Sequence, residues 1–185
     1  MLAADEHIAN RITELAKRRD ATVFQTVNSI LEQALRADSL GVTLEEIINT
    51  RSKLEKARSF GFTFAIERLF FDVVGLAYNG AKKNLSDMWF EAGSWYGKYF
   101  LNKGEDSFSS FIEAMDLLTF GSSEFAFNEN SDGTISVSCV GERFTLGYSE
   151  VFTAFFEGAF EAFGYKPVAK EVSKGIIQLE FEKSR

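Results

Sequence analysis

Residue types able to do chemistry are few in this chain and far apart. The single histidine, His7, and the single cysteine, Cys139, lie in opposite parts of the sequence. One of each cannot supply the nitrogen and sulfur donors of a zinc set. With His7 alone, no Ser-His-Asp arrangement can be drawn. The sequence holds neither a Walker-type loop nor a dinucleotide fingerprint. Glu157 and Glu161 stand at i, i+4, but paired acids on one helix face are ordinarily solvated rather than set for acid–base work. Cys139 falls in an alternating apolar segment and reads as a packed core thiol. The expectation is a protein that binds rather than catalyses, with no catalytic residue, metal ligand or cofactor.

What stands in place of reactive groups is aromatic. Phe152, Phe155, Phe156, Phe160 and Phe163 recur at helical spacing. Each ring is expected to fill a core between helix and sheet. As a group, with Phe152, Phe155 and Phe156 foremost, they could also wall an apolar pocket of the kind that takes small molecules. Trp95, Tyr96, Tyr99, Arg143 and Tyr148 would then supply its polar groups. Arg143 suits an effector's carboxylate, or else pairs with a surface acid.

These side chains need a scaffold, and the totals bound it. The chain has 185 residues, 45% hydrophobic and 25% charged, an ordinary globular balance. No stretch reaches the roughly 18 apolar residues of a membrane span. Met1–Ala4 has no secretory character, so a cytoplasmic location is the default expectation. Residues 1–58 carry nine basic and nine acidic side chains, whereas residues 59–185 carry eleven basic and eighteen acidic, which accounts for the net charge of −7. An acidic body makes poor contact with phosphate, so any nucleic-acid contact falls to the first segment. Nineteen of the twenty Phe, both Trp and all five Tyr lie beyond residue 58. Two modules are expected, 1–58 and 59–185, joined near Lys56–Gly61.

The first module reads as three amphipathic helices. Asp5 can cap one that carries Ile8, Ile12 and Leu15 and closes on Lys17, Arg18 and Arg19. Thr22 can cap a second, with Val23, Val27, Ile30, Leu31, Ala34 and Leu35 in one stripe. Thr43 to Glu46 reads as a capping box opening a third. So little core implies dimerisation or packing on the rest of the chain. Residues 2–37, LAADEHIANRITELAKRRDATVFQTVNSILEQALRA, resemble the two helices of a ribbon-helix-helix repressor domain. The resemblance implies a DNA-binding homodimer in which Thr22 grips phosphate at the second helix's cap. Lys17, Arg18 and Arg19 form the one cationic cluster, which reads equally as a solvated helix end. The chain departs from the family in that only Met1–Ala4 precede the first helix, so the base-reading strand is nearly gone.

In the second module, residues 60–75 (FGFTFAIERLFFDVVG) read either as a strand entering a helix or as one buried helix. Asn84 to Asp87 offer caps for a helix over Met88–Leu101, where Gly93 and Gly97 would let another backbone come close. Asp106 or Ser107 can cap a helix over Phe108–Leu118. Residues 124–129 and 135–140 alternate around Asn130-Ser131-Asp132-Gly133 and predict a hairpin. Ser149 can cap a Phe-rich helix ending at Gly164, followed by strands over 168–172 and 176–181. The predicted class is α+β, with a helical dimerisation segment followed by an antiparallel sheet packed with helices.

Over residues 60–183 this order is similar to the vinyl-4-reductase-type domain, a small-molecule-binding fold related to subunits of the TRAPP trafficking complex. The residues that carry the likeness are EAGSWYGKYF (91–100), TFGSSEFAFNENSDGTISVSC (119–139), GYSEVFTAFFEGAF (147–160) and VAKEVSKGIIQLEFE (168–182). The resemblance implies a dimer that binds a hydrocarbon-like or aromatic effector. Many members carry Cys near the closing strands; here Glu171 to Gly175 contain none, so a cysteine-based metal site is not expected. Together the readings predict a dimeric ligand-sensing regulatory protein whose effector shifts the helices of the first module, with a transcription factor that reads DNA through a shortened ribbon as a separate reading. Its rival is a trafficking-type interaction scaffold without a ligand.

Overall fold

The computed structural model describes residues 5–104, 106–118, 123–131 and 133–184. The ribbon expected at Met1–Ala4 lies outside them. The chain divides into two units, Met1–Lys56 and Ala57–Arg185, the division falling inside a helix.

The first unit holds α1 (Glu6–Arg18), α2 (Val23–Ser39) and most of α3 (Leu44–Ser59). Thr22 and Gln25 form a reciprocal capping box at α2, with the Gln25 N–H donating to Thr22 Oγ1 at 3.2 Å and the Thr22 N–H to Gln25 Oε1 at 3.0 Å. Thr43 and Glu46 repeat the device at α3. Asp5 occupies the N-cap position of α1 without a side-chain cap bond. Among the described residues of this unit only Ala16, Thr26 and Ala37 are buried, and the stripe on α2 leaves Val23, Ile30, Leu31 and Leu35 exposed.

The second unit is α+β. It continues with α4 (Glu67–Leu101), α5 (Ser107–Leu118), β1 (Ser123–Glu129), β2 (Ile135–Gly141), α6 (Leu146–Ala162), β3 (Tyr165–Ser173) and β4 (Ile176–Lys183). The sheet is antiparallel throughout, in the order β1-β2-β4-β3. Period-two alternation sends Ile135, Val137 and Cys139 of β2, with Ile177, Leu179 and Phe181 of β4, into the core. Register pairs Cys139 with Ile177 and Val137 with Leu179, so the two strands present one continuous apolar surface. The edge strand β3 carries Lys166, Pro167 and Lys170, with a register shift after Pro167, features that discourage further strand pairing.

Onto that surface packs α6, and against α6 packs α4. A helix held between two layers must be apolar nearly all round, and α6 buries Phe152, Phe155, Phe156 and Phe160. The approach of α4 to α6 requires glycine. A Cβ at Gly93 would collide with the Phe155 carbonyl oxygen, one at Gly158 with the Phe90 carbonyl oxygen, and one at Gly97 would lie 2.6 Å from the Ala159 carbonyl oxygen.

Several expected boundaries are corrected. The helix over Met88–Leu101 does not take its cap from Asn84–Asp87: α4 is two helical segments joined across a kink at Ala81, whose φ of −151° and ψ of 46° are not helical, and those residues already lie inside the second segment. Residues 62–66 form neither a strand nor a helix but an extended lead-in behind Gly61, with φ 84°. The first half of α4 is no buried helix either, since Leu69, Val73 and Leu76 are exposed. Ser149 does not cap α6. Thr145 does, accepting the Tyr148 N–H at 3.2 Å, while Ser149 is buried inside the helix. Both positions carry a hydroxyl; between them, at Gly147, a Cβ would lie 3.0 Å from the Tyr78 side chain. The third strand begins at Tyr165, where the ring stacks on Phe108.

Because the α4–α6 contact admits no Cβ, Gly93→Ala or Gly158→Ala should destabilise the second unit by about 1–3 kcal/mol through overpacking. Urea unfolding followed by circular dichroism reads this directly. Gly75→Ala, on α4 with no atom within 4 Å of the added Cβ, is the control and should hold or raise the midpoint.

Candidate functional site

A cavity of about 450 Å³ opens in the second unit between the lead-in to α4, the two halves of α4, and the start of α6. Phe62, Thr63 and Ala65 come from the lead-in, Glu67, Phe70 and Phe71 from the first turns of α4, and Trp89 and Tyr96 from its second half. Tyr148, Phe152 and Phe155 of α6, Phe144 before it and Ser123 of β1 complete the wall. Helical period explains the grouping. Trp89 and Tyr96 are seven residues apart, two turns on one face, as are Tyr148 and Phe155.

Tyr148 sits at the centre of the ring cluster. Its centroid lies 4.7 Å from both Phe71 and Phe144, 5.3 Å from Phe152 and 5.7 Å from Trp89. Most of these contacts are edge-to-face, the arrangement favoured by the ring quadrupole and worth about 0.5–1.5 kcal/mol per pair. Burial pushes the Tyr148 hydroxyl well above the usual phenol range, and neighbouring Cys139 adds to the shift. The Tyr96 hydroxyl donates to the Phe60 carbonyl oxygen at 2.8 Å, tying the lead-in to α4; burial, then Tyr99, raise its pKa.

Among the described residues, Glu67 is the only charged one of the wall. One carboxylate oxygen accepts Arg143 Nη1 at 2.6 Å, while the other is buried and has no partner among the described residues. A buried acceptor without a donor costs about 1–3 kcal/mol.

Of the expected ligand-binding residues, Tyr96, Tyr148, Phe152 and Phe155 come together on this wall. The others stand outside its lining. Trp95 is 59% exposed and stacks on Tyr99, since both lie on a different face of α4 from Tyr96. Lys103 sits 4.5 Å over the Tyr99 ring. Phe156 is fully buried toward the sheet, stacked on Phe125. Arg143 is a surface ion pair with Glu67, its side chain 71% exposed, and so is not an open receptor for a carboxylate. The reading of the sequence missed Trp89, Phe70, Phe71 and Glu67. The seven-residue step from Tyr96 back to Trp89 was the available signal.

In the first unit, Lys17 and Arg18 occupy the last turn of α1, Arg19 its C-cap and Thr22 the N-cap of α2, all exposed. Glu157 pairs with Lys170 at 2.9 Å. Among the described residues no group of three or more His, Cys, Asp and Glu side chains could hold a metal ion, and no helix is long and apolar enough to cross a membrane. The chain matches no protein-family model, no curated protein and no solved structure.

Cys139 is fully buried, and burial raises its pKa from an ordinary 9.0 to about 12. Above pH 9 the unfolded chain releases this proton while the folded chain retains it, so stability is lost as pH rises from about 9 toward about 12. Urea unfolding at stepped pH should show that decline, and Cys139→Ala should make it shallower, the raised Tyr148 hydroxyl adding its own loss above about pH 10. The native thiol should also resist iodoacetamide at pH 8 and react once urea exposes it.

Proposed function

We propose that this protein is a dimeric ligand-sensing regulator whose second unit takes a small apolar or aromatic effector and whose first unit acts on DNA. The observation that carries the reading is the aromatic cavity of about 450 Å³, apolar in its walls with a few convergent polar groups, the usual form of a small-molecule site. The resemblance of residues 60–183 to the vinyl-4-reductase-type domain supports the same ligand class. Self-association is supported by apolar surface left open in both units. Ile66, Leu69, Val73 and Leu76 follow one another at three- and four-residue steps along α4, between 58% and 73% exposed. Phe70 belongs both to this side of α4 and to the cavity wall, so an effector's differential affinity for two arrangements of the dimer would couple binding to regulation. The same open stripe favours, as a second reading, an interaction scaffold of the trafficking-subunit kind, in which α4 meets a partner protein and the cavity stays unused.

Thermal denaturation with neutral aromatic probes such as naphthalene and biphenyl separates the two. A ligand at a hundredfold its Kd should stabilise the folded state by about 2.7 kcal/mol and raise the melting temperature. Ala65→Trp, which fills the cavity from its exposed rim, should abolish that shift without lowering the melting temperature of the free protein. If no apolar probe stabilises the chain, the sensor reading fails and the scaffold stands.

The DNA arm is tested by gel shift on genomic fragments at graded salt. Binding through Lys17, Arg18 and Arg19 should weaken steeply with salt, and replacing all three by Ala should reduce both affinity and slope. Absence of any shift at low ionic strength removes this arm.

A further inference from the structure

We propose that the effector is an organic ammonium ion, a protonated amine on an apolar or aromatic body. The proposal rests on the cavity being a ligand site and names the chemistry that site selects.

The polar groups of the wall decide the sign. Glu67 is its one charged residue, and half of its carboxylate is already used: Oε2 accepts from Arg143 while Oε1 is buried without a partner. An ionised carboxylate accepts several hydrogen bonds and donates none, so the unspent capacity is purely acceptor. No cation stands ready to balance an acidic ligand. Arg143 is committed to Glu67, largely in water, and is not part of the lining. A ligand carboxylate would therefore meet a like charge, whereas an ammonium would find an oxygen awaiting a donor. The terminal torsion of a Glu side chain is broad, so the carboxylate can turn without moving the rest of the side chain.

The rest of the wall favours the same charge. Aromatic faces carry negative potential and attract cations, most strongly when water is excluded. Trp89, Tyr96 and Tyr148 are the most electron-rich rings of the lining. The chain makes this contact elsewhere with its own lysines: the Lys82 ammonium lies 4.9 Å over the Tyr78 ring, and that of Lys103 lies 4.8 Å over Phe60. With the whole net charge of −7 residing in residues 59–185, the long-range field also draws cations toward this unit. Arg143 opposes a second cation, but its exposed guanidinium is screened by water and salt, while Glu67 is less than half as exposed.

Three probes sharing one body and differing only in the head group test this: 3-phenylpropylamine, 3-phenylpropanol and 3-phenylpropanoate, titrated calorimetrically into the full chain at pH 7. The amine should bind at least tenfold more tightly than the alcohol, and the carboxylate most weakly. Glu67→Gln should bring amine and alcohol to within about threefold of each other, a loss of charge-assisted bonding. Should that variant fold poorly, Arg143→Met provides the independent reading. It frees both carboxylate oxygens and should widen the preference for the amine. Equal binding of alcohol and amine, or preference for the carboxylate, overturns the ammonium assignment while leaving the cavity a ligand site. Failure of all three probes to bind overturns both.

Discussion

The second unit depends on the approach of two helix backbones to each other. Gly93 and Gly97 on α4 meet the carbonyl groups of α6, and Gly158 on α6 meets that of Phe90 on α4, so no side chain separates the helices along this seam. Small residues at such a crossing replace side-chain interdigitation with backbone contact, and the neighbouring large residues are pushed to either side. Trp89 and Tyr96 flank the glycines on one side and reach Tyr148, Phe152 and Phe155. Phe100 flanks them on another and joins Phe111 of α5 in the core. A single added methyl group at the seam would therefore disturb the core and the cavity together.

The same contact explains why α6 is so rich in Phe. With α4 close on one side and the β2–β4 surface on the other, α6 has almost no face left for water. Phe156 and Phe160 turn to the sheet, where Phe160 stacks on Phe181 at 4.1 Å, while Phe152 and Phe155 turn toward α4. Packing and pocket are thus divided by face of one helix. The rings on the sheet side are core, and those on the α4 side are both core and wall. The bend at Ala81 completes the enclosure, because it lets one helix contribute Phe70 and Phe71 above Tyr148 and Trp89 beside it.

Local rules were legible in the residues wherever they rest on neighbours in sequence. The capping boxes at Thr22 and Thr43, the hairpin around Gly133, the glycine stop at Gly164 and the close-packing role of Gly93 and Gly97 all depend on such spacing. What escaped was decided across the fold. Asn84–Asp87 have good capping chemistry but lie inside the second segment of α4, which has already begun after the kink at Ala81. Ser149 has a hydroxyl suited to a cap, yet the turn was taken four residues earlier at Thr145. That Arg143 pairs with a surface acid is legible, but which acid is not, because Glu67 lies 76 residues away in sequence. Glu67 was hidden in an apolar run whose start could be read as strand or helix, and its role appears only once that start is known.

That start sets the polarity of the cavity. Glu67 is the first residue of α4, where unpaired backbone N–H groups and the helix dipole favour a negative charge. Placed there, the carboxylate meets Arg143, whose Nη1 donates to one of its oxygens at 2.6 Å. Position and orientation are coupled, since each residue along a helix turns the side-chain direction by about 100°. If α4 began one residue later, Glu67 would leave the helix register and point elsewhere, and the cavity would be left with rings and hydroxyls alone. The Tyr96 hydroxyl bonds the Phe60 carbonyl just ahead of the lead-in 62–66, which runs directly into α4. A residue of the wall thus anchors the chain shortly before the helix that carries the wall's charge.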